Sequence, residues 1–157
     1  FSLVEDFPNL VISRTFSKAY GLAGLRVGYS VSSSNIADYL NRVRQPFNVN
    51  SLALAAAESA LKDDEHLEKC LRINKDEKER LYKYFISQGY DYIESFANFV
   101  SFDCKDNSNK VFKSLLPKGV IARSMEIYKM PNHLRVTIGL HEENSIFMES
   151  LISLNES

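Results

Sequence analysis

Short apolar runs alternate with amphipathic stretches along the first part of the chain. The β-branched run 10–16 follows a Pro-Asn break and predicts a buried strand. The run 25–31 alternates apolar with small or polar residues and predicts a second strand. The serine run 32–34 then offers N-cap side chains for a helix over 35–43. This order predicts two strands, joined by a glycine-containing loop, followed by helices.

The middle of the chain has helical spacing. Asn50 or Ser51 can cap a helix rich in small residues, whose size allows close packing. A long helix is predicted from Asp63 to Gly89, because its apolar residues recur every three or four positions. The charged residues 75–80 in its middle are expected to form a solvated face rather than a binding patch.

The second half mixes short strand and helix signals. Strands are predicted over 98–103, 119–122 and 134–138, and helices over 109–116 and 142–154. This mixture predicts an α+β domain after the first group of elements. The best division of the chain lies between residues 62 and 65, near the start of the long helix.

Composition and charge narrow the classes of function. The chain of 157 residues has 19 Lys and Arg against 20 Asp and Glu, a formal net charge of -1, which argues against a nucleic-acid or membrane-surface binder. Nor does any apolar run approach the roughly 20 residues that cross a bilayer. The two cysteines and three histidines lack the spacing of a disulfide framework or metal site, and we expect a cytoplasmic protein.

One lysine stands out because of its neighbours. Lys18 lies between the two predicted strands, with hydroxyls at Thr15 and Ser17 and a guanidinium at Arg26. A neutral lysine amine can form a Schiff base with a carbonyl compound, and hydroxyls with a guanidinium can hold a phosphate. These residues alone are compatible with a lysine-based cofactor site or with a surface lysine beside a turn. The nearby glycines, Gly21, Gly24 and Gly28, match neither the P-loop nor the dinucleotide spacing.

The segment around Lys18 resembles the lysine motif of the fold type I pyridoxal-phosphate-dependent aminotransferases, and within them the histidinol-phosphate aminotransferases. It reads RTFSKAYGLAGLRVGY over residues 14–29. Later segments are similar in the same order: NVNSLA at 48–53, ANFV at 97–100, GVIAR at 119–123 and LRVTIG at 134–139. The similarity spans essentially the whole chain.

This resemblance implies a fold, a cofactor and a division of labour. The fold would be α/β, with residues 1–62 forming the end of a large, mostly parallel-sheet domain that binds pyridoxal 5'-phosphate. Residues 63–157 would form the linking helix and a small C-terminal α+β domain. Lys18 would form the Schiff base with the cofactor and later move the substrate proton, while Thr15, Ser17 and Arg26 would hold the cofactor phosphate.

Substrate contacts are expected in the second half. In the predicted strand 134–138, alternation turns Arg135 and Thr137 away from three apolar residues, so Arg135 can face a cleft. From the residues alone, a solvated strand arginine or a surface ion pair is the favoured interpretation. The resemblance implies that Arg135 binds the substrate phosphate or carboxylate, that Arg123 assists, and that Asn98 is a further contact.

The family function implied is transfer of an amino group between L-histidinol phosphate and 2-oxoglutarate in histidine biosynthesis, by a homodimer. The reverse pair would be imidazole acetol phosphate and glutamate. The family's pyridine-binding aspartate, stacking aromatic residue and glycine-rich phosphate loop would all precede the lysine strand, so we expect a C-terminal part that is inactive alone. Alternatives are an aromatic aminotransferase, a threonine-phosphate decarboxylase, or a truncated dimerisation module without catalysis.

Overall fold

The computed structural model describes residues 1–155. Six helices and six strands follow the chain in the order α1 (Leu3–Asp6), β1 (Val11–Thr15), β2 (Gly28–Ser32), α2 (Ser34–Val43), α3 (Ser51–Ala60), α4 (Asp64–Ser87), β3 (Tyr92–Ile93), β4 (Phe99–Asp103), α5 (Ser108–Leu115), β5 (Arg123–Ser124), β6 (His133–Thr137) and α6 (His141–Asn155). The chain divides into two compact units, residues 1–70 and residues 71 onward. The division falls inside α4, and the assignment of 1–62 and 63–157 to two domains stays a prediction.

The first unit is built on the antiparallel pair of β1 and β2. The register places Val11 opposite Ser32 and Thr15 opposite Gly28. Its small core contains one aromatic residue and three small or branched ones, Phe16, Val27, Ala53 and Ala57. Ala53 and Ala57 lie one turn apart on α3, so their small side chains leave room for the Phe16 ring.

The prediction that the first strand is buried is wrong. β1 forms where the β-branched run predicts it, yet four of its five residues are exposed and only Ile12 is half-buried. Its only sheet neighbour among residues 1–155 is β2, so the pair forms a two-stranded ribbon rather than the interior of a wider sheet.

Two helix starts in the first unit show different capping. Asn50 caps α3 as predicted, because its Oδ1 accepts a hydrogen bond from the Ala53 N–H at 2.9 Å. α2 begins after the serine run as predicted, but no serine side chain caps it. The Ser33 hydroxyl instead donates to the Pro8 carbonyl at 3.0 Å, which ties the helix start to the loop before β1.

The second unit contains a four-stranded antiparallel sheet with the order β3-β4-β6-β5. One face packs against residues of α4, α5 and α6. The fully buried members of this core include Leu81, Phe85, Val100, Phe102, Leu115 and Leu134. The Phe85 and Phe102 rings stack with centroids 4.6 Å apart and join the helix to the sheet. The α+β prediction for this half is therefore confirmed.

The strand predicted over 119–122 is wrong. Gly119 adopts a left-handed backbone (φ 78°) and ends a 3-10 turn, Leu116–Lys118, while the Val120 N–H donates to the Leu115 carbonyl. The backbone therefore still closes the preceding helix at these positions. Pairing with β6 begins only at Arg123 and lasts two residues.

The sheets of the described residues are both antiparallel, and helices flank them, so the chain is mixed α/β. No helix within residues 1–155 combines the length and the apolar character needed to span a bilayer.

Candidate functional site

Lys18 lies in the tight turn that follows β1. The Lys18 carbonyl accepts the Gly21 N–H at 2.8 Å, and Gly21 has the left-handed backbone that favours glycine (φ 70°). The Phe16 carbonyl accepts the Leu22 N–H at 2.9 Å, and the Phe16 ring is buried below the turn. The turn is thus fixed by its backbone and by Phe16, and the Lys18 side chain is left exposed.

The hydroxyls of Thr15 and Ser17 form a small cluster at the end of β1. The Thr15 Oγ1–H donates to Ser17 Oγ at 2.9 Å, and Thr15 Oγ1 accepts the Ser17 backbone N–H at 3.1 Å. These bonds orient both hydroxyls on the same side of the turn. The Ser17 hydroxyl keeps its own proton to donate to an anion.

Arg26 stands beside this cluster in an unusual conformation. Its backbone is left-handed (φ 54°), at the end of the 3-10 turn Ala23–Leu25. Its Nη1 donates to the Ala23 carbonyl at 2.7 Å, which holds the side chain close to its own turn. A guanidinium has five N–H donors, so the remaining ones can bind an anion.

Thr15, Ser17 and Arg26 line one open cleft of about 390 Å³, together with Ser13, Arg14, Val27 and Gly28. Gly28 allows the two strands to meet here, since a Cβ at this position would lie 2.6 Å from the Arg14 carbonyl oxygen. Hydroxyl and guanidinium donors around a glycine-lined cleft fit a phosphate group. The structure therefore brings these three predicted residues together, with Lys18 next to Ser17 in the chain.

Tyr20 and Tyr29 pack around Phe16, with ring centroids 4.9 Å and 5.9 Å from its own. Tyr20 is half-buried and Tyr29 is exposed. Tyr20 therefore belongs to the small core of the first unit. Tyr29 keeps a free surface.

Arg135 and Arg123 lie directly opposite each other on neighbouring strands of the second unit. β6 pairs with β5 so that the two Cα positions are partners, and both side chains project from the sheet face opposite the core. Leu134 and Val136 point into the core, so the alternation predicted for Arg135 is confirmed. None of the ion pairs within residues 1–155 includes either guanidinium. Two like charges face each other without a carboxylate.

A ring supports one of these arginines. The Arg135 Cζ lies 4.6 Å from the centroid of the Phe99 ring, on the adjacent strand β4. Asn98, one residue earlier, is half-buried, and its backbone carbonyl accepts the Ile138 N–H at 2.9 Å. The predicted contact of the Asn98 side chain with a substrate stays a prediction.

A polar cluster on α4 is absent from the sequence prediction. Glu77 is buried rather than solvated, and it accepts hydrogen bonds from Asn144 (2.8 Å), His141 (2.9 Å) and Arg80 (3.0 Å). Burial by itself would raise the pKa of Glu77, but these hydrogen bonds outweigh it and hold the pKa below its ordinary value. The Asn144 amide also bonds both backbone groups of Gly139, so the cluster fixes the turn after β6.

The sequence feature that could predict this cluster is the position of Glu77 in α4. It lies one turn before Leu81 and two turns before Phe85, on the stripe that faces the core. An acidic residue on an apolar stripe indicates a buried partner. Asn144, which is 2% exposed, is that partner, and the exposed His141 contacts the same carboxylate.

The remaining histidines and cysteines form no metal cluster within the described part of the chain. His66 Nε2 lies 3.4 Å from Cys70 Sγ on the next turn of α4. Cys104 is buried, which raises the pKa of its thiol, and its Sγ–H donates to the Asn132 carbonyl at 3.0 Å. Both cysteines are free thiols.

Comparison with known proteins decides the family. The model of the family described as aminotransferase class I and II matches residues 1–151. The chain belongs to this family. Its lysine turn, hydroxyl cluster and arginine pair are thus features of an aminotransferase chain.

Two curated relatives are both histidinol-phosphate aminotransferases. Histidinol-phosphate aminotransferase 1 of Nitrosococcus oceani is 53% identical over 153 residues, which is 98% of this chain and 41% of the relative. Histidinol-phosphate aminotransferase 2 of Pseudomonas fluorescens is 56% identical over 145 residues, 92% of this chain and 39% of the relative. This aminotransferase chain therefore spans about two fifths of the length of these relatives.

Solved structures have the same fold. The crystal structure of histidinol-phosphate aminotransferase from Sinorhizobium meliloti, in complex with pyridoxal-5'-phosphate, is 28% identical with a TM-score of 0.83, over 96% of this chain and 44% of that one. The expected fold type I transferase is therefore confirmed. In the part of it that residues 1–155 form, the strands pair antiparallel, and the mostly parallel sheet of the expectation is not among them.

Proposed function

We propose that the protein carrying this chain is a histidinol-phosphate aminotransferase, which exchanges an amino group between L-histidinol phosphate and 2-oxoglutarate in histidine biosynthesis. The observation that carries the proposal is the identity of about half of all residues to relatives of that name, across nearly the whole chain. The arginine pair on the sheet face supports a substrate with a phosphate or carboxylate group.

Pyridoxal 5'-phosphate is the proposed cofactor, and when bound it supplies an electron sink for carbanion chemistry. The cleft at the end of β1 fits its phosphate, because Thr15, Ser17 and Arg26 offer two hydroxyls and a guanidinium around it. The Lys18 amine is the group that attaches the cofactor covalently. It sits one residue after Ser17, so the hydroxyl donors and the amine lie next to each other at the end of β1.

Lys18 has a second proposed task. Once its amine is released by the incoming substrate amine, Nζ can take a proton from one carbon and return it to another. The exposure of the Lys18 side chain leaves Nζ free to reach both positions. Arg135 and Arg123 bind and orient the anionic end of the substrate, with Asn98 as an additional contact.

The proposed assembly is a cytoplasmic homodimer. Several large apolar side chains of the first unit are exposed, among them Phe47, Leu52 and Val43. Surfaces of this kind mark interaction sites. Sedimentation of the protein at the full length of its relatives tests the dimer.

Covalent labelling tests the cofactor site directly. The chain is mixed with pyridoxal phosphate and reduced with borohydride, and the labelled lysine is found by peptide mass. We expect label on Lys18 in preference to the other lysines, and Lys18→Arg abolishes it while Lys75→Arg, an exposed lysine on α4, leaves it unchanged. Equal labelling of all lysines in a protein of the relatives' full length contradicts the proposal.

Turnover provides the second test. In the full-length protein, Lys18→Ala is expected to abolish amino transfer from L-histidinol phosphate to 2-oxoglutarate. We also expect the 157-residue chain alone to be inactive. Unchanged transfer by the Lys18→Ala variant would refute the role of this lysine. Competition between L-histidinol phosphate, aromatic amino acids and threonine phosphate identifies the preferred substrate and separates the related enzyme classes.

A further inference from the structure

The side chain of Arg135 is held by a ring instead of a carboxylate. The register of β4 and β6 places Ser101 opposite Arg135 and Phe99 opposite Thr137, so Phe99 is the diagonal neighbour of Arg135 on the same face. Its ring centroid lies 4.6 Å from the Arg135 Cζ. This is well within the distance at which a guanidinium is attracted to an aromatic face.

This form of support leaves the charge available. A carboxylate partner would neutralise the guanidinium and occupy its donors, whereas a ring orders the group and leaves its N–H donors free for conventional acceptors. Asp103, on the same face of β4, accepts the Lys105 backbone N–H through Oδ1 at 2.8 Å and forms no ion pair with Arg135. Arg123, across from Arg135, is exposed and has no ring contact in the described part of the chain.

We propose that Phe99 is a positioning residue that orders the Arg135 guanidinium for bidentate binding of an oxyanion, the phosphate or carboxylate end of the substrate. The inference rests on the proposed function for the identity of the substrate, but the anion affinity of Arg135 is a separate property. Phe99 thereby lowers the ordering cost of anion binding without contacting the anion. Arg123 supplies charge from an exposed side chain.

Nuclear magnetic resonance on the labelled 157-residue chain tests the inference with inorganic phosphate as the probe. The Arg135 Nε–Hε signal, assigned with Arg135→Lys, should show a ring-current shift in the free chain and a saturable further shift with phosphate. In Phe99→Leu the ring-current shift disappears, and phosphate binds roughly two- to five-fold more weakly. Phe99→Tyr keeps both, since it keeps the ring.

Phe96→Leu is the matched control, because Phe96 is 96% exposed and lies three residues before Phe99. It should leave both signals unchanged. Backbone amide shifts of β6 report that the sheet is intact in every variant. Equal phosphate affinity in Phe99→Leu and the parent chain overturns the inference, as does a missing ring-current shift or a missing response of Arg135 to phosphate.

Enzyme kinetics of the full-length protein extend the test. Phe99→Leu should raise KM for the phosphorylated substrate two- to five-fold with little change in kcat. Failure of Lys18 labelling or of amino transfer would refute the proposed function while the phosphate titration still stands. Normal labelling and transfer, together with an unaffected KM in Phe99→Leu, would refute this inference alone.

Discussion

The two antiparallel sheets of the described residues position the candidate site residues by different means. The pair of β1 and β2 has four exposed residues in β1 and a small core beneath its turn. The four-stranded sheet has one face packed on a large aromatic and aliphatic core and carries Arg135 on the other. In the first unit the candidate residues depend on local turn geometry. In the second they depend on the packing of the whole sheet.

This difference predicts where substitutions do damage. Around Lys18, backbone hydrogen bonds and one glycine determine the geometry, so small backbone changes should matter most. Around Arg135, the loss of a core residue should matter most, because the opposite face of its strand packs against the core.

The largest expected effect comes from the core of the second unit. Phe102→Ala removes a fully buried ring that stacks on Phe85, and should lower the free energy of unfolding by about 3 to 5 kcal/mol. Phe96→Ala, at a 96% exposed ring, should change it by less than about 0.5 kcal/mol. Urea unfolding of both variants measures the contrast. Similar losses in the two variants would show that packing of the Phe102 ring in the core does not stabilise the sheet.

The next effect is expected at the strand pair. Gly28→Ala places a Cβ against the Arg14 carbonyl and should lower the free energy of local opening by up to about 3 kcal/mol. Hydrogen exchange at the Phe16 amide, which donates to the Val27 carbonyl, reports this opening. Gly24→Ala is the control, since no atom lies within 4 Å of a Cβ there. Equal exchange in the two variants would contradict the close strand contact.

A moderate and pH-dependent effect is expected at Glu77. Glu77→Ala removes the buried carboxylate that accepts hydrogen bonds from Asn144 and Arg80, and should cost about 2 kcal/mol at neutral pH. The pKa of Glu77 lies below its ordinary value of 4.5 in the folded state. Its stabilising contribution is therefore complete above 4.5 and is lost as pH falls through the lower folded-state pKa.

Urea unfolding at about pH 7 and about pH 3 measures this dependence. The gap between the parent chain and Glu77→Ala should shrink in acid. Glu79→Ala, at an exposed neighbour on α4, should show no such gap at either pH. A gap that widens in acid would mean that the folded state raises the pKa instead.

The smallest expected effect is at the start of α3. Asn50→Ala removes the acceptor for the Ala53 N–H and should destabilise the helix by about 1 kcal/mol. Asn50→Asp keeps an oxygen acceptor and should stay close to the parent chain. Hydrogen exchange at Ala53 separates the two variants. Equal exchange would mean that Asn50 does not cap the helix.

Much of the fold follows from local pattern. Alternation locates β4 and β6 within a residue, and apolar spacing with Asp63 locates α4, because these signals are carried by neighbouring residues. The strand predicted over 119–122 fails since Gly119 closes a helix there instead. The β-branched run also predicts burial of β1, which is wrong. Such a run indicates that a strand forms, but it does not indicate which elements cover the strand.

The candidate site was predictable in part. The motif around Lys18 places Thr15, Ser17 and Arg26 within the span 15–26, so their shared cleft follows from proximity in the chain. The support of Arg135 by Phe99 depends on the register of β4 against β6, which is a long-range property. The charged run 75–80 predicts a solvated face, whereas Glu77 lies on the core stripe of α4, and its burial depends on partners in α6 that are distant in the chain.

The left-handed backbone of Arg26 has a consequence for anyone who redesigns this chain for heat tolerance. A non-glycine residue in that conformation costs about 1 kcal/mol, so a screen for thermal survival alone would favour glycine at position 26. Such a variant would melt later and lose the guanidinium beside the hydroxyl cluster. Arg26 should therefore be kept unchanged in a redesign, or its variants should be selected for anion affinity as well as for melting temperature.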